Sequence, residues 1–333
     1  MTPSRGVQFP PPLAQTGVAC ERAAATVAAV IDEVERAVVG KREQLELVVA
    51  ALLSGGHVLL DDVPGVAKTL AARSIATAAG LSFSRIQFTP DVLPSDITGA
   101  TVIDVGTGRP TFRRGPVFAD LVLADEINRA PAKTQAALLE AMQEFQVTID
   151  GTTHPLPDPF FVIATENPVE SEGTYPLPEA QLDRFIVRAH LGYPRVADEV
   201  EMVARRLARG TDDVVIRQVT DTSQLNAVRA AIEHAHVEPV LIAYVVDIMN
   251  ASRKHRELSL GASPRGSLAV IKVARARAVL QGRDFVTPDD VRVVALPALA
   301  HRVVLSDEAW ARGTRPDDVM RTVIDSVAAP SWK

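Results

Sequence analysis

The chain has 333 residues, long for a single hydrophobic core and suited to two domains. A formal net charge of −6 sets it against general affinity for nucleic acid, and no apolar run approaches the roughly 20 residues that cross a bilayer. The N-terminus lacks a basic-then-apolar leader, so a cytoplasmic protein is expected, and the lone Cys20 allows neither an internal disulfide nor a thiolate metal site.

In chain order, residues 1–24, with Pro10-Pro11-Pro12 and scattered Gly, Gln and Ser, predict a mobile tail. Helical periodicity follows near 25–38 and 41–55. Apolar runs then predict strands near 57–61, 84–88, 120–124, 159–165 and 186–191, alternating with helices. That alternation implies a parallel sheet covered on both faces.

The first strand breaks into a turn, HVLLDDVPGVAKT at 57 to 69. A tight loop between strand and helix leaves backbone N–H groups pointing inward beside a positive helix end, a phosphate cradle. Lys68 would reach the β- and γ-phosphates and the Thr69 hydroxyl would ligate Mg²⁺. The general phosphate-loop pattern has glycine where this chain has Asp62 and Ala67, leaving only Gly65, so an ordinary strand-to-helix turn is the alternative for this segment alone. Asp62 also puts a carboxylate near the loop.

Two short extended runs at Gly99 to Pro116 flank Gly106-Thr107-Gly108 and predict a hairpin. The run LVLADEIN stops on Asp125, expected to reach the metal, and Glu126, expected to act as the base, although acidic strand ends are also common without chemistry. A second hairpin is predicted at 147 to 159 around Asp150-Gly151. FFVIATENP ends on Asn167, whose amide could bond the γ-phosphate and the water, or simply form the turn before Pro168. A short helix should carry Asp183-Arg184 into the last strand. An arginine there could act on a neighbour's nucleotide, worth about 10³ to 10⁵ in rate, or be a surface pair worth almost nothing. From Ala197 onward only amphipathic helices are expected, with Arg265 opening one in GASPRGS and Thr287-Pro288-Asp289-Asp290 capping another. The seven histidines do not cluster into a metal site.

The strings DVPGVAKT, LADEINRAPAKTQAALLEAMQE, VIATENPVESEGTYPLPEAQLDRF and GASPRG resemble the MoxR family of AAA+ ATPases over roughly residues 35 to 300. The resemblance implies an α/β fold: an AAA+ P-loop core, with a parallel five-stranded sheet between helices, β-hairpin inserts and the phosphate-loop strand in the middle, followed by an all-α lid domain. The expected division is a tail at 1–24, a core at 25–196 and a lid at 197–333. Residue by residue, it implies Lys68 and Thr69 as Walker A, within a cofactor loop of Pro64, Gly65, Val66, Ala67, Lys68, Thr69 and Leu70. Asp125 and Glu126 would be Walker B, Asn167 sensor 1, Arg184 the arginine finger and Arg265 sensor 2, reaching the γ-phosphate from above. Val39 and Gly40 would lie against the adenine.

The hairpins would be the helix-2 insert and the pre-sensor-1 hairpin, which could carry the nucleotide state to a client or be plain surface hairpins. The implied function is Mg²⁺-dependent ATP hydrolysis by a homo-oligomeric ring, most simply a hexamer. It would act as a chaperone on client proteins, with a von Willebrand factor A domain protein as partner. A nucleic-acid motor or restriction-type subunit is the alternative, as is a nucleotide-switched scaffold with little turnover.

Overall fold

The computed structural model describes residues 16–106, 108–167 and 174–331. Its centre is a five-stranded parallel sheet of β1 (His57–Asp61), β2 (Phe83–Gln87), β5 (Leu121–Asp125), β8 (Phe161–Glu166) and β9 (Phe185–Ala189), in the order β2-β5-β8-β1-β9. The strand before the phosphate loop is therefore internal but not central; β8 holds the middle. Alternation along each strand divides two apolar clusters. Val58 and Leu60 pack into one face and Leu59 into the other, as do Leu121 and Leu123 against Val122 and Ala124. Both faces are covered, which is why these strands read as unbroken apolar runs.

One face carries α1 (Thr16–Glu35), α2 (Arg42–Leu53) and α3 (Lys68–Ala79); the other carries α4 (Pro94–Thr98) and α5 (Ala132–Glu144). The two expected hairpins form as antiparallel pairs, β3 (Gly99–Ile103) with β4 (Pro110–Arg114) and β6 (Gln146–Ile149) with β7 (Thr152–Pro155). Asp150 and Gly151 both have positive φ at the second turn, which explains the Asp-Gly pair. The Phe112 and His154 rings stack with centroids 4.1 Å apart, joining the hairpins. Thr107, in the first turn, lies outside the described residues.

After the short α6 (Glu179–Leu182) and β9 come α7 (Val196–Arg209), α8 (Thr222–His234), α9 (Pro239–Lys254), β10 (Leu258–Leu260), α10 (Pro264–Leu280), α11 (Pro288–Leu299), β11 (Val304–Leu305), α12 (Asp307–Ala311) and α13 (Pro316–Ser326). The predicted start of α11 is present: Thr287 and Asp290 form a reciprocal capping box, with Pro288 in the first turn. Helices α10, α11 and α13 bury side chains in the same continuous cluster as α1 and α2, so the helical region docks onto the sheet's first face.

Three expectations are corrected. Residues 16–24 are helical: Cys20, Ala23, Val27, Val30, Ile31 and Val34 continue one buried stripe, and Cys20 lies inside it. Residues 1–15, with the proline run, lie outside the described residues. Strands do not vanish after Ala197, because β10 and β11 pair antiparallel. Asp183 and Arg184 lie just beyond α6, Asp183 capping its C-terminus, so the helix does not carry them.

Candidate nucleotide site

The loop from Asp62 to Ala67 joins β1 to α3 and walls a cavity of about 380 Å³. Pro64, Gly65, Ala67, Lys68, Thr69 and Leu70 line it with Asp125, Glu126 and Asn167. Most of the predicted site therefore converges: one loop, two strand ends and one helix start meet at the C-terminal edge of the sheet, where ligands of open α/β folds bind. Gly65 has φ +85°, and a Cβ there would meet nothing within 4 Å. Ala67 also lies in the left-handed region, at φ +65°, where an L residue costs about 1–2 kcal/mol. This is the position at which the usual pattern has glycine.

Lys68 Nζ donates to the carbonyl oxygens of Asp62 at 2.6 Å and Glu166 at 3.1 Å. Burial pulls the ammonium below its ordinary pKa, against the opposing pull of Asp62, Asp125, Asp61 and Glu126. Asp62 itself is 7% exposed and is no wall of the cavity; its carboxylate accepts the N–H groups of Leu191 at 2.5 Å and Gly192 at 3.0 Å. The carboxylate that departs from the general pattern thus anchors the chain leaving β9.

Thr69 Oγ1 lies 3.3 Å from Asp125 Oδ2. Thr165 Oγ1 donates to Asp125 Oδ1 at 2.7 Å and accepts the N–H of Glu126 at 2.8 Å, so one fully buried hydroxyl on β8 sets both acids. Glu126 is held at φ +57°, and its carboxylate accepts from Gln87 Nε2 at 2.8 Å and Arg129 Nη1 at 3.0 Å. Asn167 is 3% exposed, and its carbonyl accepts from Asn128 Nδ2 at 3.4 Å. Pro168 lies outside the described residues. Beside it, Glu166 pairs in register with Asp61, and burial with that second carboxylate raises its pKa to about 7.

The remaining predicted residues are elsewhere. Val66 is buried in the apolar cluster under the loop. Val39 and Gly40 lie in the turn between α1 and α2, where a Cβ on Gly40 would come within 2.2 Å of Asp198 Cγ at the start of α7. The next residue, Lys41, donates from Nζ to the Tyr193 carbonyl at 2.7 Å, one position beyond the Gly192 that Asp62 holds. Neither Val39 nor Gly40 lines the cavity.

Arg184 and Arg265 are also not among its walls. Arg265, 59% exposed, lies 3.6 Å from the Asp183 carboxylate, beside Arg184 in sequence. Asp183 is fixed by the buried Arg302, which also donates to the Phe185 carbonyl at 2.7 Å. Arg265, at the start of α10, sits beside Asp183 at the α6 end and not on the cavity wall, because α10 packs against α1 and α2.

The residues missed by sequence reasoning are Thr165, Arg85, Gln87 and Arg129. Arg85 Nε and Nη2 reach Asp125 Oδ2 at 3.0 and 2.7 Å. The signal was two polar side chains at period two in SRIQF, one face of a short strand. A larger cavity, about 500 Å³, opens between α2, α10 and α11 and contains none of the motif residues.

A central parallel sheet, a phosphate loop after its β1 strand, paired acids on β5 and a helical lid define an AAA+ P-loop protein. The family model described as ATPase family associated with various cellular activities matches residues 57–187, and an AAA lid domain model matches residues 250–323. The chain is 44% identical over 329 residues to Chaperone MoxR1 of Mycobacterium tuberculosis, covering 96% of this chain and 86% of that protein. It is 33% identical over 322 residues to Protein MoxR of Methylorubrum extorquens, covering 90% and 93%. A crystal structure from Cytophaga hutchinsonii superimposes with a TM-score of 0.87 at 39% identity, covering 94% and 98% of the two chains. The chain belongs to the MoxR family of AAA+ ATPases. Among the described residues, no helix is long and apolar enough to cross a membrane.

Proposed function

We propose that this chain hydrolyses ATP to ADP and phosphate as a homomeric ring, most simply a hexamer, and uses the cycle to assemble or activate client proteins in the cytoplasm. The observation that carries the reading is the meeting of Lys68, Thr69, Asp125, Glu126 and Asn167 around one cavity at the phosphate loop. Lys68 exchanges its two carbonyl partners for phosphate oxygens. Thr69 and Asp125 offer adjacent hard oxygens, the donor set that suits Mg²⁺ beside nucleotide phosphates. Bound there, the cation would neutralise charge on the phosphate oxygens. Glu126 takes the proton of the attacking water once its contacts to Gln87 and Arg129 open, and Asn167 orients that water and the terminal phosphate.

Arg184 and Arg265, off the cavity and grouped at Asp183, act on the nucleotide of an adjacent subunit. Val39 and Gly40 form the adenine side of the site. Core and lid divide near residues 196 and 197, where α7 begins. The stacked hairpins move together and report the nucleotide state to the client. The client role follows the relative named as a chaperone, with a von Willebrand factor A domain protein as partner on a separate chain. The test loads Glu126→Gln protein with ATP and captures partners against Lys68→Ala as background, identifying protein and nucleic acid. A von Willebrand factor A protein or an unfinished enzyme on the ATP-loaded bait alone supports the reading. Nucleic acid instead moves the chain to the motor class, and unchanged ATP affinity in Lys68→Ala removes the phosphate-loop assignment.

A further inference from the structure

Arg85 and Gln87 project from one face of β2 toward the acids at the tip of β5. Arg85 places Nε and Nη2 on the same oxygen, Asp125 Oδ2, and Nη2 also donates to Gln87 Oε1 at 2.6 Å. The other carboxylate oxygen is taken by the Thr165 hydroxyl. Oδ2 also accepts from Thr69 Oγ1 at 3.3 Å, so three donors converge on this one oxygen and no acceptor site on it stays open. A cation held between Thr69 and Asp125 needs that oxygen, and a dication and a guanidinium on one oxygen repel each other. Arg85 is 47% exposed on its side chain, so it has solvent into which to swing.

We propose that Arg85 is the resident counter-ion of Asp125: it holds the carboxylate oriented before the cation arrives, leaves Oδ2 as the cation enters, and thereby weakens cation binding. The inference rests on the nucleotide-site reading above. Because Gln87 bridges Arg85 to Glu126, departure of the guanidinium also loosens the amide that holds the base.

The test measures Mn²⁺ binding to the full-length, ADP-loaded chain from the electron paramagnetic resonance signal of free Mn²⁺. Wild type, Arg85→Gln and Arg85→Lys are compared after ADP affinity has been measured in EDTA. Charge-assisted hydrogen bonds of this kind correspond to a change of about tenfold. Arg85→Gln should bind Mn²⁺ about tenfold more tightly than wild type. Arg85→Lys, which keeps the charge but cannot fork, should lie between them and stands in if the glutamine variant does not fold. Equal or weaker Mn²⁺ binding in the variants overturns the counter-ion role while normal ADP binding leaves the nucleotide site standing. Absence of ADP binding by wild type overturns both.

Discussion

The Asp62 carboxylate accepts the N–H of Leu191 at 2.5 Å and that of Gly192 at 3.0 Å, although Asp62 stands at the head of the phosphate loop. Charge-assisted bonds of this kind contribute about 1.5–3 kcal/mol each, and their removal would orphan two N–H groups. Replacing Asp62 by the glycine of the general pattern should therefore lower stability, by about 3–6 kcal/mol, rather than tighten nucleotide binding. Urea unfolding with a parallel nucleotide titration decides it. Unchanged stability with tighter binding would mean the carboxylate repels phosphate instead of anchoring the chain after β9.

Ala67 makes the opposite case. Its φ of +65° is a conformation that glycine adopts without the Cβ penalty, and it closes the loop at the first turn of α3. Ala67→Gly should raise stability by about 0.5–1 kcal/mol, the left-handed penalty less the extra unfolded-state entropy of glycine. Chemical denaturation can resolve this difference. A loss of stability would show that the alanine methyl makes packing contacts worth more than the strain.

The contrast between these two positions shows what the sequence carried. The five core strands were legible because burial on both faces writes each as an apolar run, and the hairpins because Asp150-Gly151 and Gly106 to Gly108 mark turns. Which acid stands beside which partner was not, since Thr165 and Arg85 meet Asp125 only through the order β2-β5-β8. The start of α1 was hidden by the proline run upstream. Strands β10 and β11, of three and two residues, are too short to show a period. That Arg265 sits beside Asp183 was not legible either, because its position depends on how α10 docks on α1 and α2, and periodicity describes the buried face of a helix but not its partner.

Desolvation of three groups should give stability a pH optimum. Desolvation lowers His57 to about 4 and His301 to about 3, from an ordinary 6.5. Their stabilising effect is complete above 6.5 and lost as pH falls toward the folded values, because the unfolded chain then binds protons that the folded chain refuses. Glu166, raised to about 7, has the opposite sign: its contribution is full below the unfolded value of 4.5 and lost as pH rises through 7. Between 4.5 and 6.5 two protons oppose one, so stability should fall on acidification with a net slope of about 1.4 kcal/mol per pH unit. Glu166→Gln should steepen that slope to about 2.8 and remove the decline between 6.5 and 7. Denaturation across pH 4.5 to 8 reads both. An unchanged profile in Glu166→Gln would show that Glu166 is already ionised at pH 6.

Arg265 and Arg184 should fail together, and across a subunit boundary. Asp183 lies 3.6 Å from Arg265 and directly precedes Arg184, while neither arginine walls the cavity that Lys68 lines. If both serve the nucleotide of a neighbour, Arg184→Ala and Arg265→Ala should each lower turnover, by about 10³-fold or more for a transition-state arginine, while leaving nucleotide affinity near wild type. Mixing either variant with Lys68→Ala subunits should restore some turnover, since interfaces then form that combine an intact phosphate loop with an intact arginine. Rescue of Arg184→Ala without rescue of Arg265→Ala would separate the two and return Arg265 to its own subunit's nucleotide. That outcome would require α10 to leave its place against α1 and α2 during the cycle, and a pair of spin labels on α2 and α10 would report that motion as a change in distance on ATP addition.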